Sequence, residues 1–152
     1  IGHFGSKEAL QLAAIEEANA IFVERVWRPV EHAEPGLPRL LAICEAWTSY
    51  LATNCFAGGC FLTGTAAEFD ARPGPVRDAI AKSLRRWAKV LAADARTAVT
   101  AGDLPADTDP EQVAFEIGAL AAGANQAIQL HGDRGGADRA LRAMRRVLTP
   151  SG

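Results

Sequence analysis

Leu12, Ile15, Asn19, Phe22 and Val26 recur at steps of three and four along the first part of the chain, the period of an amphipathic helix that ends near Pro29 or slightly beyond. Ser6 suits an N-cap, Glu8 places negative charge in the first turn, and Gly5 suits the C-terminal end of a preceding helix, so a corner between two helices is expected at Gly5 and Ser6. Pro35 and Gly36 mark a turn, and Pro38 suits the first position of a second helix with Leu37, Leu40 or Leu41, Cys44, Trp47 and Leu51 on one side, fading near Asn54. Residues 54–64 are apolar but broken by Gly58, Gly59 and Gly64, and 65–71 could add a short helix before Pro73, Gly74 and Pro75 stop it. The cleanest periodicity follows: Val76, Ile80, Leu84, Trp87, Leu91, Ala95 and Ala98 form a stripe, with Arg85, Arg86, Lys89 and Arg96 on the solvated face.

Gly102 ends that helix, and Asp109 can cap another whose first residue is Pro110. On it, Val113, Ile117, Leu120, Ala124 and Ile128 make one face, while Ala114, Gly118, Ala122 and Asn125 make much of another, and no charge occurs between Ile117 and Leu130. A helix apolar nearly all round must be covered nearly all round, and in so small a domain a second molecule is the expected cover. The final helix carries Leu141, Met144 and Leu148 on one stripe and Arg139, Arg142, Arg145 and Arg146 elsewhere. The expected interface between two copies therefore takes in Ala114, Gly118, Ala122, Asn125, Leu141 and Met144 on the last two helices.

A length of 152 residues with 49% hydrophobic composition fits one compact domain, and abundant alanine with few β-branched residues favours an all-α fold of about six helices. The net charge of -2 argues against a phosphate-binding surface spread over the chain, so any DNA contact must be local. Three cysteines, Cys44, Cys55 and Cys60, imply no disulfide framework, and no apolar run is long enough to span a membrane. A cytoplasmic setting is expected. The chain opens on Ile1 rather than Met, in what reads as a helix, and a further segment is expected upstream of it.

Phe22, Trp47, Tyr50, Asn54, Phe61, Trp87 and Phe115 mix apolar bulk with sparse polar groups, which suits the wall of a small-molecule cavity as well as an ordinary core. Asn19 is the polar residue set within a hydrophobic stripe. Cys55 and Cys60 lack a second Cys or His pair, so no metal site is read, and no cofactor is expected. There is no nucleophile elbow or phosphate loop, and His3, His32 and His131 lie far apart. An enzyme would have to draw on Glu45, Glu68 and His32, which form no coherent acid–base set. A dimerisation module without a ligand is the third alternative.

The segment His3-Phe4-Gly5-Ser6-Lys7-Glu8-Ala9-Leu10 resembles the junction in TetR-family transcriptional regulators between a recognition helix and the helix leading into the regulatory domain. Gly59-Cys60-Phe61-Leu62-Thr63-Gly64-Thr65-Ala66-Ala67-Glu68-Phe69-Asp70 and Arg72-Pro73-Gly74-Pro75-Val76-Arg77-Asp78 are similar to one variety of the family's regulatory domain. The resemblance implies that residues 1–5 end a helix-turn-helix domain, about 45 residues of which are absent, and that 6–152 form an effector-binding, dimerising domain. It implies backbone contacts to operator DNA from His3 and Lys7, a homodimer, a small apolar effector, and a repressor released from DNA when the effector binds. The resemblance departs at Ile1, where tyrosine is common.

Overall fold

The computed structural model describes residues 2–53 and 73–150, with side chains from Lys7 onward. Five α-helices make up the described residues: α1 Gly2–Phe22, α2 Leu37–Thr53, α3 Pro75–Thr100, α4 Pro110–His131 and α5 Gly136–Leu148. The fold is all-α, as the alanine-rich, periodic sequence indicates. The further short helix considered for 65–71, together with Cys55 and Cys60, lies outside the described residues.

Helix α1 passes through Gly5 and Ser6 without a break, so the corner expected there is absent. Helix propagation adds a hydrogen bond for every residue fixed, and here it overrides the preference of Ser6 for a cap. Past Phe22 the helix widens into one π-helical turn, Val23–Trp27, in which the Arg28 N–H donates to the Val23 carbonyl at 2.8 Å, five residues back. The cap at Asp109 forms as its sequence suggests, its carboxylate accepting from the Glu111 N–H at 3.0 Å, with Pro110 opening the helix. At the other end of α3, Gly102 takes a left-handed φ of 82° and stops the helix.

Helix α1 lies on α3, and its π turn lies on α2. Helices α4 and α5 pack as an antiparallel pair, α4 also rests on α3, and α2 is held between α3, α4 and α5. Between them Val26, Leu40, Ile43, Cys44, Leu91, Ile117, Met144 and Leu148 are almost wholly removed from water. The pairing of α4 and α5 is tight at Gly136, where a β-carbon would come within 2.8 Å of the Ala127 side chain.

Three placements change the picture drawn from periodicity. Leu84, on the expected core stripe of α3, is 42% exposed. Met144, Asn125 and Ala114 are buried by this chain's own helices, and so offer no surface to a second copy as they stand; Leu141 is half-buried. What α4 leaves uncovered is another face, on which Phe115 and Leu130 are 70% and 69% exposed, with Ala119, Ala122 and Gln126 between them.

Among the described residues the most buried charge is Asp94, 1% exposed on α3. Its carboxylate accepts from Arg39 Nε and the second guanidinium nitrogen at 2.8 Å each, and from the Gly36 N–H at 3.2 Å. The same guanidinium donates to the Glu31 carbonyl at 3.2 Å and stacks 5.1 Å from the Trp27 ring centre. Gly36 can serve because its φ of 103° is open to glycine, and because a side chain there would press on Thr97. The hydrogen bond to Asp94 raises the Arg39 pKa further against the opposing effect of burial, so the guanidinium stays charged throughout the usable pH range.

Cys44 is free, buried in the core, and its thiol is pushed up to about 12, chiefly by burial and then by the charge of Glu45, with Arg145 opposing. Because the folded value exceeds the ordinary 9.0, burial of the neutral thiol favours the fold below pH 9.0, and that advantage drains away as pH rises toward about 12.

Asp94→Ala is expected to lower the unfolding free energy by about 3 kcal/mol, since it strands a guanidinium that is itself mostly covered. Urea unfolding of Asp94→Ala, Arg39→Ala and the double variant tests the pairing: the double should lose less than the sum, whereas strict additivity would show two independent residues. Cys44 should stay unalkylated by iodoacetamide at about pH 8 in the folded chain and label only after denaturation, as read by mass mapping of its peptide.

Candidate effector cavity

On the cavity side of α4 the small residues do not bring a second helix close within this chain. Ala114, Gly118 and Ala122 recur every fourth residue and so share one side of α4, and a β-carbon built on Gly118 meets nothing within 4 Å. The missing side-chain volume is instead part of a cavity of about 590 Å³, bounded by α1, α2, α3 and α4. That size is in the range of drug-sized ligand sites.

Phe22 and Trp47 form its aromatic back wall with Trp87 from α3, and Phe115 stands at its exposed rim. The rings meet edge to face: Phe22 and Trp87 at 5.0 Å and 85°, Trp47 and Trp87 at 5.8 Å and 83°, Phe22 and Trp47 at 5.7 Å and 86°. Such contacts add about 0.5–1.5 kcal/mol each beyond burial and give the wall a defined shape. Tyr50, expected in the lining, stands behind it, packed edge-on against Phe22 at 5.8 Å. Asn54 and Phe61 lie outside the described residues. Lys7 is exposed at the start of α1, and His3 lies where side chains are not described.

The π turn supplies two wall residues that periodicity did not single out, Val23 and Trp27. Trp27 is adjacent to the fully buried Val26, and the wider turn accommodates both: Val26 goes to the core while Trp27 faces the cavity and packs edge-on to Trp87 at 6.2 Å. Leu84 is also explained, because it lies at the rim where no helix covers α3.

Polar groups are few. Asn19 donates through Nδ2 to Ser83 Oγ at 2.8 Å, and Ser83 donates to the Ala79 carbonyl at 3.0 Å, joining α1 to α3 across the cavity wall. Ser83 gave no signal in the sequence beyond being a small polar residue one position from the stripe. Arg86 is the charged side chain in the described lining. The indole nitrogens of Trp47 and Trp87 are buried and have no hydrogen-bond acceptor among the described residues.

The residues nominated for an enzyme are not assembled. Glu45 pairs with Arg145 at 3.1 Å on the surface and the His32 side chain is 94% exposed, while Glu68 lies outside the described residues. Among the described residues no cluster of His, Cys, Asp and Glu could hold a metal ion, and no helix is long and apolar enough to cross a membrane.

Among solved structures, a TetR transcriptional regulator from Chloroflexus aurantiacus J-10-FL matches with a TM-score of 0.87 and 23% identity, over 98% of this chain and 75% of that one. At that identity the likeness establishes a shared fold. The search of curated proteins found no match. A family model described as "Tetracyclin repressor-like, C-terminal domain" matches residues 36–144. That span takes in α2 to α4 and most of α5, and with it three of the four helices that wall the cavity. The chain therefore belongs to the tetracycline-repressor-like C-terminal domain family, the regulatory and non-enzymatic part of TetR transcriptional regulators.

Proposed function

We propose that this domain binds a small molecule in the cavity, assembles as a homodimer through α4 and α5, and controls a helix-turn-helix domain preceding Ser6, which acts as a repressor and leaves its operator when the ligand binds. The observation that carries the reading is that Asn19, Phe22, Val23 and Trp27, all from α1 or its π turn, form one side of the cavity. A ligand therefore touches the helix that leads toward the DNA-binding side. From Asn19 back to Gly2 the helix is about 25 Å long at 1.5 Å per residue, so a tilt of about 5° at the cavity moves its far end by about 2 Å. Two recognition helices must sit about one turn of DNA apart, and such a shift, doubled across a dimer, is enough to spoil their spacing. Lys7 is exposed near that end, and in this reading its ammonium meets a backbone phosphate.

For the dimer, the support is the uncovered face of α4, where Phe115, Ala119, Ala122, Gln126 and Leu130 follow one another at helical spacing without a charge. TetR-family regulators typically dimerise. Gly118 and Ala122 enter this reading as cavity wall, with Ala122 also on the open face.

Operator binding by a chain carrying the DNA-binding domain should weaken at least about tenfold when a cavity ligand is added. Unchanged affinity across ligands shown to bind would overturn the switching scheme. Leu130→Glu should weaken self-association about 10- to 100-fold in sedimentation equilibrium while leaving the far-ultraviolet spectrum unchanged, because it sets a carboxylate in the apolar face. Gly118→Leu should abolish ligand binding with little loss of stability, because the added side chain enters open space; dialysis and thermal unfolding read the two effects separately.

A further inference from the structure

We propose that the cavity selects a neutral, flat aromatic compound bearing a carbonyl oxygen and disfavours organic cations. This rests on the reading of the cavity as a ligand site. A wall with three tryptophans and a phenylalanine invites two opposite ligand chemistries: a cation on the ring faces, or an apolar ring system with an acceptor for the indole N–H groups.

The described groups favour the second. Trp47, 6% exposed, and Trp87 both form wall, and the N–H of each is buried without an acceptor among the described residues. Buried donors are ordinarily paired, so two neighbouring orphans in one cavity wall form a demand that a ligand oxygen can meet. Ser83 does not compete for that role, since its proton goes to Ala79 and its oxygen accepts from Asn19. Each indole nitrogen is covered by neighbouring atoms, so the oxygen reaches it through a local shift of the wall.

Against a cation stand three observations. The Trp27 ring already carries the Arg39 guanidinium at 5.1 Å. Phe22, Trp47 and Trp87 present edges to one another's faces, so they do not form an open box. Arg86 lies in the described lining and no described lining residue is a carboxylate, so the local charge repels an organic cation.

The test compares three tricyclic probes of nearly equal shape by equilibrium dialysis: xanthone, its deoxygenated analogue xanthene, and N-methylacridinium. Xanthone should bind about tenfold more tightly than xanthene, the value of one or two net hydrogen bonds, and N-methylacridinium should bind more weakly than either. Trp47→Phe and Trp87→Phe keep a ring and remove an N–H, so one or both should bring the xanthone-to-xanthene ratio toward unity, and because the readout is a ratio, a change of wall shape felt equally by both probes cancels. Equal binding of xanthone and xanthene, a preference for N-methylacridinium, or a ratio that survives removal of both indoles would each overturn the proposal while the cavity reading stands. Failure of all three probes to bind would overturn both.

Discussion

The buried carboxylate of Asp94 ties α3 to the start of α2 and to the turn that precedes it. It holds Arg39 at the start of α2 and the backbone of Gly36 in the preceding turn, while Arg39 reaches on to the Glu31 carbonyl and the face of Trp27. Apolar packing alone would let α2 slide along α3, because hydrophobic contact is non-directional. A two-pronged ion pair with a third hydrogen bond allows one register. The position of Trp47, four residues past Ile43 on α2, follows from that register, and so does the aromatic wall it shares with Phe22 and Trp87.

Sequence periodicity revealed the long helices because each has a face that must be buried, and Val76, Ile80, Leu91, Ala95 and Ala98 repeat that requirement along α3. It did not reveal Asp94. A single carboxylate has no period, and its partner Arg39 is 55 positions away. The cap at Asp109 was legible because its chemistry is complete within three residues, whereas Ser6 carries a similar signal and is overruled by a helix that continues through it.

The cavity was half legible. Large aromatics spaced along helices said that Phe22, Trp47 and Trp87 face inward, but inward residues can fill space or surround it, and the sequence of one helix does not say what stands opposite. Ala114, Gly118 and Ala122 show the ambiguity most clearly. Small side chains permit another helix to approach, and where none does they leave a void. Trp27 was missed because its lateral position depends on one π-helical turn, a departure of one residue from the period on which such readings are built.

Trp27 also belongs to two structures at once: one ring carries the guanidinium of the ion pair and forms wall of the cavity. The two therefore cannot be thermodynamically independent for any ligand that moves this ring. If occupancy strengthens the contact between Arg39 and Asp94 by some factor, an intact ion pair strengthens occupancy by the same factor, since linked equilibria are reciprocal. Selection acting on the stability of the turn at residues 28–36 thereby also acts on the sensitivity of the cavity, through a residue that neither function alone would single out.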